Sequence, residues 1–195
     1  MKIVSVLYNG NQFIREKNCE NLLNNDVVLV LGFGSSELIS LPKSFSDIKM
    51  RFPNAQIALC SSAGEIFETE VLDNSISLVA LSFDDTQIKT AETNIRNYQS
   101  SFEAGEYLVN ELSDENLKFI FVLSDGGSVN GSELVKGMNS VKAENVLITG
   151  GLAGDGARFE KTYVGLNKLP TNGNIIAIGF YGDKLELSHG SIGVS

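Results

Sequence analysis

Short apolar runs alternate with segments of helical periodicity along most of the chain. Four runs are apolar on both faces, which is typical of buried strands in α/β proteins and predicts central positions in the sheets: 27–33, 56–60, 119–123 and 145–149. Alternating or shorter patterns predict further strands over 3–8, 75–83, 86–95, 174–180 and 184–189. Apolar positions at helical spacing predict helices over 12–24, 44–52, 100–113 and 131–140.

The same order of elements occurs twice. Each half has a strand, a loop, a helix, a strand, a small-residue loop and then antiparallel strands, over about 26–92 and 118–188. Ala63-Gly64-Glu65 in the first half corresponds to Ala153-Gly154-Asp155 in the second, which also carries an insertion over 156–173. The sequence therefore predicts an α/β fold of two pseudo-repeated βαβ-plus-hairpin halves, with mixed sheets and helices packed outside. A chance match between two ordinary α/β halves is the alternative.

Charge and composition limit the partners that this chain can have. The formal net charge of −9 repels phosphate backbones, so we expect no nucleic-acid partner. We find neither a signal peptide nor 18 consecutive apolar residues, which predicts a cytoplasmic protein without a membrane partner. Cys19 and Cys60 are then expected as free thiols. The one histidine, His189, excludes a histidine-rich metal site, and we expect no cofactor.

Two loops of small residues carry the candidate chemistry. Residues 60–65 and 149–155 each follow a buried strand, and their exposed backbone N–H groups suit a carboxylate. Glu65 and Asp155 occupy equivalent positions and suit an ammonium group, so a zwitterionic amino acid fits both; Arg158 is a candidate clamp for its carboxylate. With Tyr163 as a further candidate, the predicted ligand-binding residues are Ser61, Ser62, Gly64, Glu65, Asp125, Gly151, Gly154, Asp155, Arg158 and Asn167.

Other interpretations of these loops stay open. The glycines could serve only as tight turns in a closed packing interface between the halves, as in a purely structural interaction domain. A hydrolase would use Cys60 or Ser61 as nucleophile and Glu65 or Asp155 as base, but no histidine lies near Cys60 in the sequence. The chain also lacks dinucleotide-binding and Walker-type glycine loops. A binding module is therefore favoured over an enzyme.

The two loops also resemble known motifs. Cys60-Ser61-Ser62-Ala63-Gly64-Glu65-Ile66 resembles the Cys/Ser-rich turn of the FIST N-terminal domain. Gly150-Gly151-Leu152-Ala153-Gly154-Asp155, with Tyr163-Val164 and Asn167 downstream, resembles its second motif, and residues 173–190 resemble its closing hairpin. The resemblance covers about residues 20–195, so the whole chain is interpreted as one FIST N-terminal domain.

This resemblance implies a sensory domain of bacterial signal transduction that binds small ligands such as amino acids. It implies a C-terminal FIST domain, apparently absent from this chain, and a downstream partner such as a kinase or cyclase. Some members of the family are haem-based nitric oxide sensors, for which His189 would be the only available axial ligand here. Other members are F-box proteins.

Overall fold

The computed structural model describes residues 1–187, and this part of the chain has twelve strands and four α-helices. The strands are β1 (Lys2–Tyr8), β2 (Phe13–Lys17), β3 (Leu29–Gly34), β4 (Gln56–Ser61), β5 (Glu65–Phe67), β6 (Glu70–Leu72), β7 (Ile76–Ser82), β8 (Gln87–Asn94), β9 (Leu117–Ser124), β10 (Leu147–Leu152), β11 (Val164–Leu166) and β12 (Asn174–Tyr181). The helices are α1 (Ser36–Ile39), α2 (Pro42–Arg51), α3 (Ser101–Leu112) and α4 (Gly131–Val141). None of these helices combines the length and the apolar character that a membrane crossing requires.

The strands form two main sheets and one small hairpin. The first sheet has the order β11-β4-β3-β7-β1-β2, and the second has the order β10-β9-β12-β8. Each sheet contains one parallel pair, β3 with β4 and β9 with β10, next to antiparallel neighbours. Strands β5 and β6 pair only with each other. The predicted α/β class with mixed sheets is confirmed.

Three apolar cores arrange these elements in four layers. Ile39 of α1 and Ile48 of α2 pack on one face of the first sheet, and α3 and α4 pack on one face of the second. The other faces of the two sheets pack on each other through side chains such as Leu29, Phe121 and Ile178. The helices therefore lie outside the sheets, as predicted, and inner strands such as β4 and β12 are buried on both faces because each sheet lies between helices and its neighbour.

The two sheets share a strand order, β4-β3-β7-β1 in the first and β10-β9-β12-β8 in the second. The elements do not divide at the predicted boundaries, however, because β8 follows β7 in sequence but pairs with β12 in the second sheet. A closing strand was predicted over 184–189, but Lys184–Leu187 are not in a strand. Ser188 and His189 lie outside the described residues. The internal repeat over 26–92 and 118–188 stays a prediction.

The helix predicted over 12–24 is wrong, because residues 13–17 form strand β2. The side chain of Asn9 accepts hydrogen bonds from the backbone N–H groups of Asn11 and Gln12, and Gly10 has a φ of 89°. This turn folds β2 back onto β1, where Phe13 lies 5.0 Å from the ring of Tyr8. Asparagine and glycine favour such turns, and here the local turn prevails over a weak helical pattern.

The central position predicted for residues 145–149 is also wrong. Within residues 1–187, β10 pairs only with β9 and forms one edge of the second sheet, with most of its residues exposed. The first sheet has no such open edge at the matching strand, because β11 of the insertion 156–173 pairs antiparallel with β4. An apolar run indicates a strand but does not indicate whether another strand covers its second side.

Candidate functional site

The two predicted loops meet at the carboxyl ends of β4 and β10. Gly154 donates its backbone N–H to the carbonyl oxygen of Ser61 over 2.9 Å, and Ala153 donates to the carbonyl of Ser124 over 2.8 Å. A Cβ on Gly154 would lie only 3.0 Å from the backbone nitrogen of Ala63. Glycine is required at this position because the backbones of the two loops approach so closely.

Glu65 is buried beneath the first loop and is held by two serines. Its Oε1 accepts a hydrogen bond from Ser62 Oγ over 2.9 Å, and its Oε2 accepts bonds from Ser75 Oγ and the Ser75 backbone N–H over 3.2 and 3.4 Å. Burial raises the pKa of Glu65 and outweighs these hydrogen bonds, which lower it. Glu65 therefore holds a proton more readily than an exposed glutamate.

Asp155, also buried, anchors the second loop. Its Oδ1 accepts from the Arg158 guanidinium over 2.7 and 3.1 Å, and its Oδ2 accepts from the backbone N–H groups of Glu160 and Lys161. Burial would raise the pKa of Asp155, but the hydrogen bonds, above all from Arg158, hold it well below its ordinary value. Both oxygens are occupied, so Asp155 positions Arg158 and has little capacity left for a ligand.

Arg158 reaches from this anchor toward solvent. Three of its N–H groups contact carboxylates, two on Asp155 and one on Glu37 of α1. A guanidinium has five N–H donors, so two remain. The side chain is partly exposed and lines a cavity, which leaves these two donors within reach of a carboxylate.

Asp125 holds the backbone behind the loops. Its Oδ1 accepts from the N–H groups of Gly127 and Ser128, and its Oδ2 accepts from Thr162 Oγ1 over 2.9 Å. Burial would raise the pKa of Asp125, but N–H groups led by those of Gly173 and Ser128 lower it below the ordinary aspartate value. Asp125 thus supports the backbone and joins β9 to the insertion.

A polar cavity of about 330 Å³ opens beside the first loop. It is lined by Ser35, Ser62, Ala63, Gly64, Glu65, Asp73, Asn74, Gly156, Ala157 and Arg158. Arg158 lies on one side, and the exposed carboxylate of Asp73 belongs to the same lining. The cavity thus offers groups of both charges, which a zwitterion requires.

An apolar cavity of about 360 Å³ adjoins the same loop. It is lined by Phe33, Cys60, Ser61, Ser62, Ala63, Phe121, Leu123, Gly150, Gly151, Leu152 and Gly154. Ser62 and Ala63 belong to the linings of both cavities. The two spaces therefore lie next to each other, one polar and one apolar, where the two sheets end.

The residues of the hydrolase alternative do not form a nucleophile–base pair in the described part of the chain. Burial, aided by the charge of Asp125, raises the pKa of Cys60 to about 12, and its thiol donates a hydrogen bond to the carbonyl of Ser61. Ser61 Oγ accepts the backbone N–H of Tyr163 over 2.9 Å. Glu65 accepts a hydrogen bond from Ser62, which is neither of the nucleophiles, Cys60 and Ser61, of the hydrolase alternative.

Asn167 does not belong with the other predicted site residues. It exchanges two hydrogen bonds of 2.8 Å with Ile57, near the start of β4, whereas the loops lie beyond the end of that strand at Ser61. Its φ of 55° suits asparagine in a turn. Asn167 therefore holds β11 in register against β4.

Sequence reasoning missed Asp73 and Asn74, which line the polar cavity, and Ser75, which holds Glu65. They lie in the connection between β6 and β7, directly before a buried strand. The Asp-Asn-Ser run is a turn signal, but only the fold places that turn at the same cavity as Arg158. His189, the residue of the haem alternative, lies outside the described residues.

Changing Glu65 to glutamine is expected to alter the pH dependence of stability. A raised folded-state pKa means that the folded chain binds this proton more tightly than the unfolded chain, so the cost of ionising Glu65 appears as the pH rises from about 4 through the folded pKa. Glu65→Gln removes that cost. The free energy of unfolding of the Glu65→Gln chain, measured by urea denaturation, should therefore rise relative to that of the wild-type chain between about pH 4 and about pH 7.

The matched control for this measurement is Glu111→Gln, which changes an exposed glutamate of α3. Its difference from wild type should stay constant over the same pH range. A Glu65→Gln chain that instead loses stability relative to wild type as the pH rises would show that Glu65 is stabilised as a carboxylate.

Comparison with known proteins identifies the architecture at the level of a family. The model of the FIST N domain family matches residues 28–193, which is most of the chain. The matched range contains both loops and both cavities. No curated protein matches the chain.

Proposed function

The chain belongs to the FIST N domain family, a family of sensory domains in signal transduction, and we propose that this domain senses a small amino acid with an apolar side chain. The observation that carries the proposal is the pair of adjoining cavities that share Ser62 and Ala63. Each cavity is of the size that small ligands use, at the lower end of the usual range of about 300–1,000 Å³.

The polar cavity would hold the main-chain end of the ligand. The two remaining N–H donors of Arg158 suit the α-carboxylate, because a guanidinium binds a carboxylate through paired hydrogen bonds. Asp73 suits the α-ammonium group, and Glu65 at the same wall would ionise as the ammonium group approaches. Of the two carboxylates that the sequence suggested for the ammonium group, Glu65 keeps that role in this proposal, whereas Asp155 accepts hydrogen bonds from Arg158.

The apolar cavity would hold the side chain of the ligand. Its lining includes the large apolar side chains of Phe33, Phe121, Leu123 and Leu152 and the buried Cys60. Such a surface favours aliphatic or aromatic side chains and offers nothing to a charged one. The expected preference is therefore for amino acids such as leucine or methionine over aspartate or lysine.

The proposed role is binding and not catalysis. In support, Cys60 is buried with a raised pKa, and neither Cys60 nor Ser61 is bonded to a side-chain base in the described residues. We propose that the bound state is passed to a downstream signalling protein. The C-terminal FIST domain, and a kinase or cyclase as the partner, stay predictions.

The proposal is tested with Ala63→Phe, which places a ring where the two cavities adjoin. Ala63 is exposed and lines both cavities, so a larger side chain should block the ligand without disturbing a core. Thermal-shift measurements with leucine, isoleucine, valine, methionine and phenylalanine should show stabilisation of the wild-type chain that grows with ligand concentration. The shift should be lost in Ala63→Phe.

The control is Ala143→Phe, which changes an exposed alanine before β10 that lines neither cavity. It should retain the shift of the wild-type chain. A ligand that stabilises Ala63→Phe as strongly as Ala143→Phe would mean that the binding site lies elsewhere.

A further inference from the structure

The two main sheets have four edge strands, β2 and β11 in the first and β10 and β8 in the second. An edge strand presents a row of unpaired backbone N–H and C=O groups, which invites pairing with another chain. Proteins protect such edges with charged side chains, proline or very short strands.

Three of the four edges carry such protection. β2 has the charged residues Arg15, Glu16 and Lys17 in a strand of five residues. β8 has Lys89 and Glu92. β11 is only three residues long. None of these edges therefore offers a long, uncharged row of backbone groups to a second chain.

β10 is different. Its six residues, Leu-Ile-Thr-Gly-Gly-Leu, include neither a charge nor a proline. Leu147 and Leu152 are 54% and 52% exposed, although leucine is usually buried. A mostly apolar groove of about 650 Å³ runs between this strand and α4, with Ile148 and Val135 in its lining. Both the edge and the groove are uncovered within the described part of the chain.

The fold covers the corresponding edge of the other sheet. β4 has the same place in the first sheet that β10 has in the second, next to a parallel partner and at the start of the same strand order. β11 pairs with β4 antiparallel, and it is an uncharged Val-Gly-Leu segment. An uncharged antiparallel strand is thus the cover that this architecture uses at the matching position.

We infer that β10 pairs antiparallel with β10 of a second copy of this chain, joining the two four-stranded sheets across a twofold axis. Two identical edges satisfy each other's backbone groups at once, and twofold pairing is the commonest arrangement of oligomers. The chain carries a net charge of −9, which opposes self-association elsewhere, but β10 contributes none of that charge.

The orientation of α4 agrees with pairing to a second copy. Gly131, at the start of α4, packs against Leu152 at the end of β10, so the helix runs antiparallel to the strand. The twofold axis therefore brings the start of α4 in one copy toward the end of α4 in the other. In such a dimer the first turn of α4, where Glu133 pairs with Lys136 of its own chain, would lie toward the end of α4 of the second copy, where Lys142 lies.

The test is the mass of the chain in solution, measured by light scattering after size exclusion over a range of concentrations. The wild-type mass should approach twice 21.1 kDa as the concentration rises. Leu147→Lys places like charges at the shared edge and should raise the dissociation constant of the dimer at least about tenfold. Its control is Ile14→Lys, which changes a similarly exposed residue, 45% accessible, on the edge strand β2.

A second variant of β10 and a second measurement test the dimer even if Leu147→Lys does not fold. Thr149→Glu, at an exposed position of β10, should weaken the dimer in the same way if Leu147→Lys does not fold. Hydrogen exchange of the β10 amides should slow as wild-type concentration rises, and stay fast in either variant. The inference is overturned if the wild-type mass stays at 21.1 kDa, or if the β10 variants weaken the dimer no more than Ile14→Lys does.

Discussion

Replacing Arg158 with alanine is expected to weaken the binding of an apolar amino acid by about tenfold to a hundredfold, the range that a charge-assisted hydrogen-bond pair supplies. Arg158 is held by Asp155 and Glu37 with two N–H donors to spare beside the polar cavity. Its removal leaves the α-carboxylate of the ligand without a cation. Titration calorimetry on the wild-type and Arg158→Ala chains measures the difference.

Two further variants separate the lost contact from a general effect. Arg158→Lys retains the charge but not the paired donors, so its affinity should lie between those of wild type and Arg158→Ala. Arg96→Ala removes an exposed arginine that lines neither cavity and should bind as wild type does. Equal affinities for Arg158→Ala and Arg96→Ala would show that Arg158 does not contact the ligand.

Replacing Asp125 with alanine is expected to lower the free energy of unfolding by about 3 kcal/mol, because three donors lose a charged acceptor at once and one of them, on Thr162, is buried. Those donors are the N–H groups of Gly127 and Ser128 and the hydroxyl of Thr162. Asp125→Asn retains one acceptor oxygen and should cost only about 1 kcal/mol. Urea denaturation of the two variants tests this order.

Asp26→Ala is the matched control, since Asp26 is an exposed aspartate in the short turn before β3. Its stability should stay within about 0.5 kcal/mol of wild type. An Asp125→Ala chain as stable as Asp26→Ala would mean that water replaces the carboxylate at the ends of β9 and β12, and that Asp125 is not the support described above.

The sequence predicted the strands of this fold well where apolar runs are continuous. β3, β4 and β9 lie inside their sheets, as their two apolar faces indicated. β10 has the same kind of run and lies at an edge, because burial on the two faces and pairing on the two sides of a strand are separate properties. Whether a strand is paired on both sides depends on the strand order of the whole sheet.

The meeting of the two loops could be predicted from the sequence, but the contacts of their side chains could not. Small residues at two strand ends pointed to loops that meet, and Gly154 does contact the backbone of Ser61 and Ala63. The roles of the carboxylates could not be predicted, since they depend on contacts between residues far apart in sequence. Asp155 is occupied by a neighbouring arginine, whereas Asp73, from a turn without any motif, faces the same cavity.

The central claim is that one cavity holds the charged end of an amino acid and the other holds its apolar side chain. The most direct measurement compares three ligands by titration calorimetry on the wild-type chain. L-Leucine has both charged groups, 4-methylpentanoate lacks the ammonium group, and 3-methylbutylamine lacks the carboxylate. All three carry the same branched end for the apolar cavity.

L-Leucine is predicted to bind, and each of the other two to bind at least about tenfold more weakly, because each leaves either Arg158 or Asp73 without its partner. Ala63→Phe should remove the binding of all three. The account would be contradicted if L-leucine did not bind, or if either truncated ligand bound as tightly as L-leucine does.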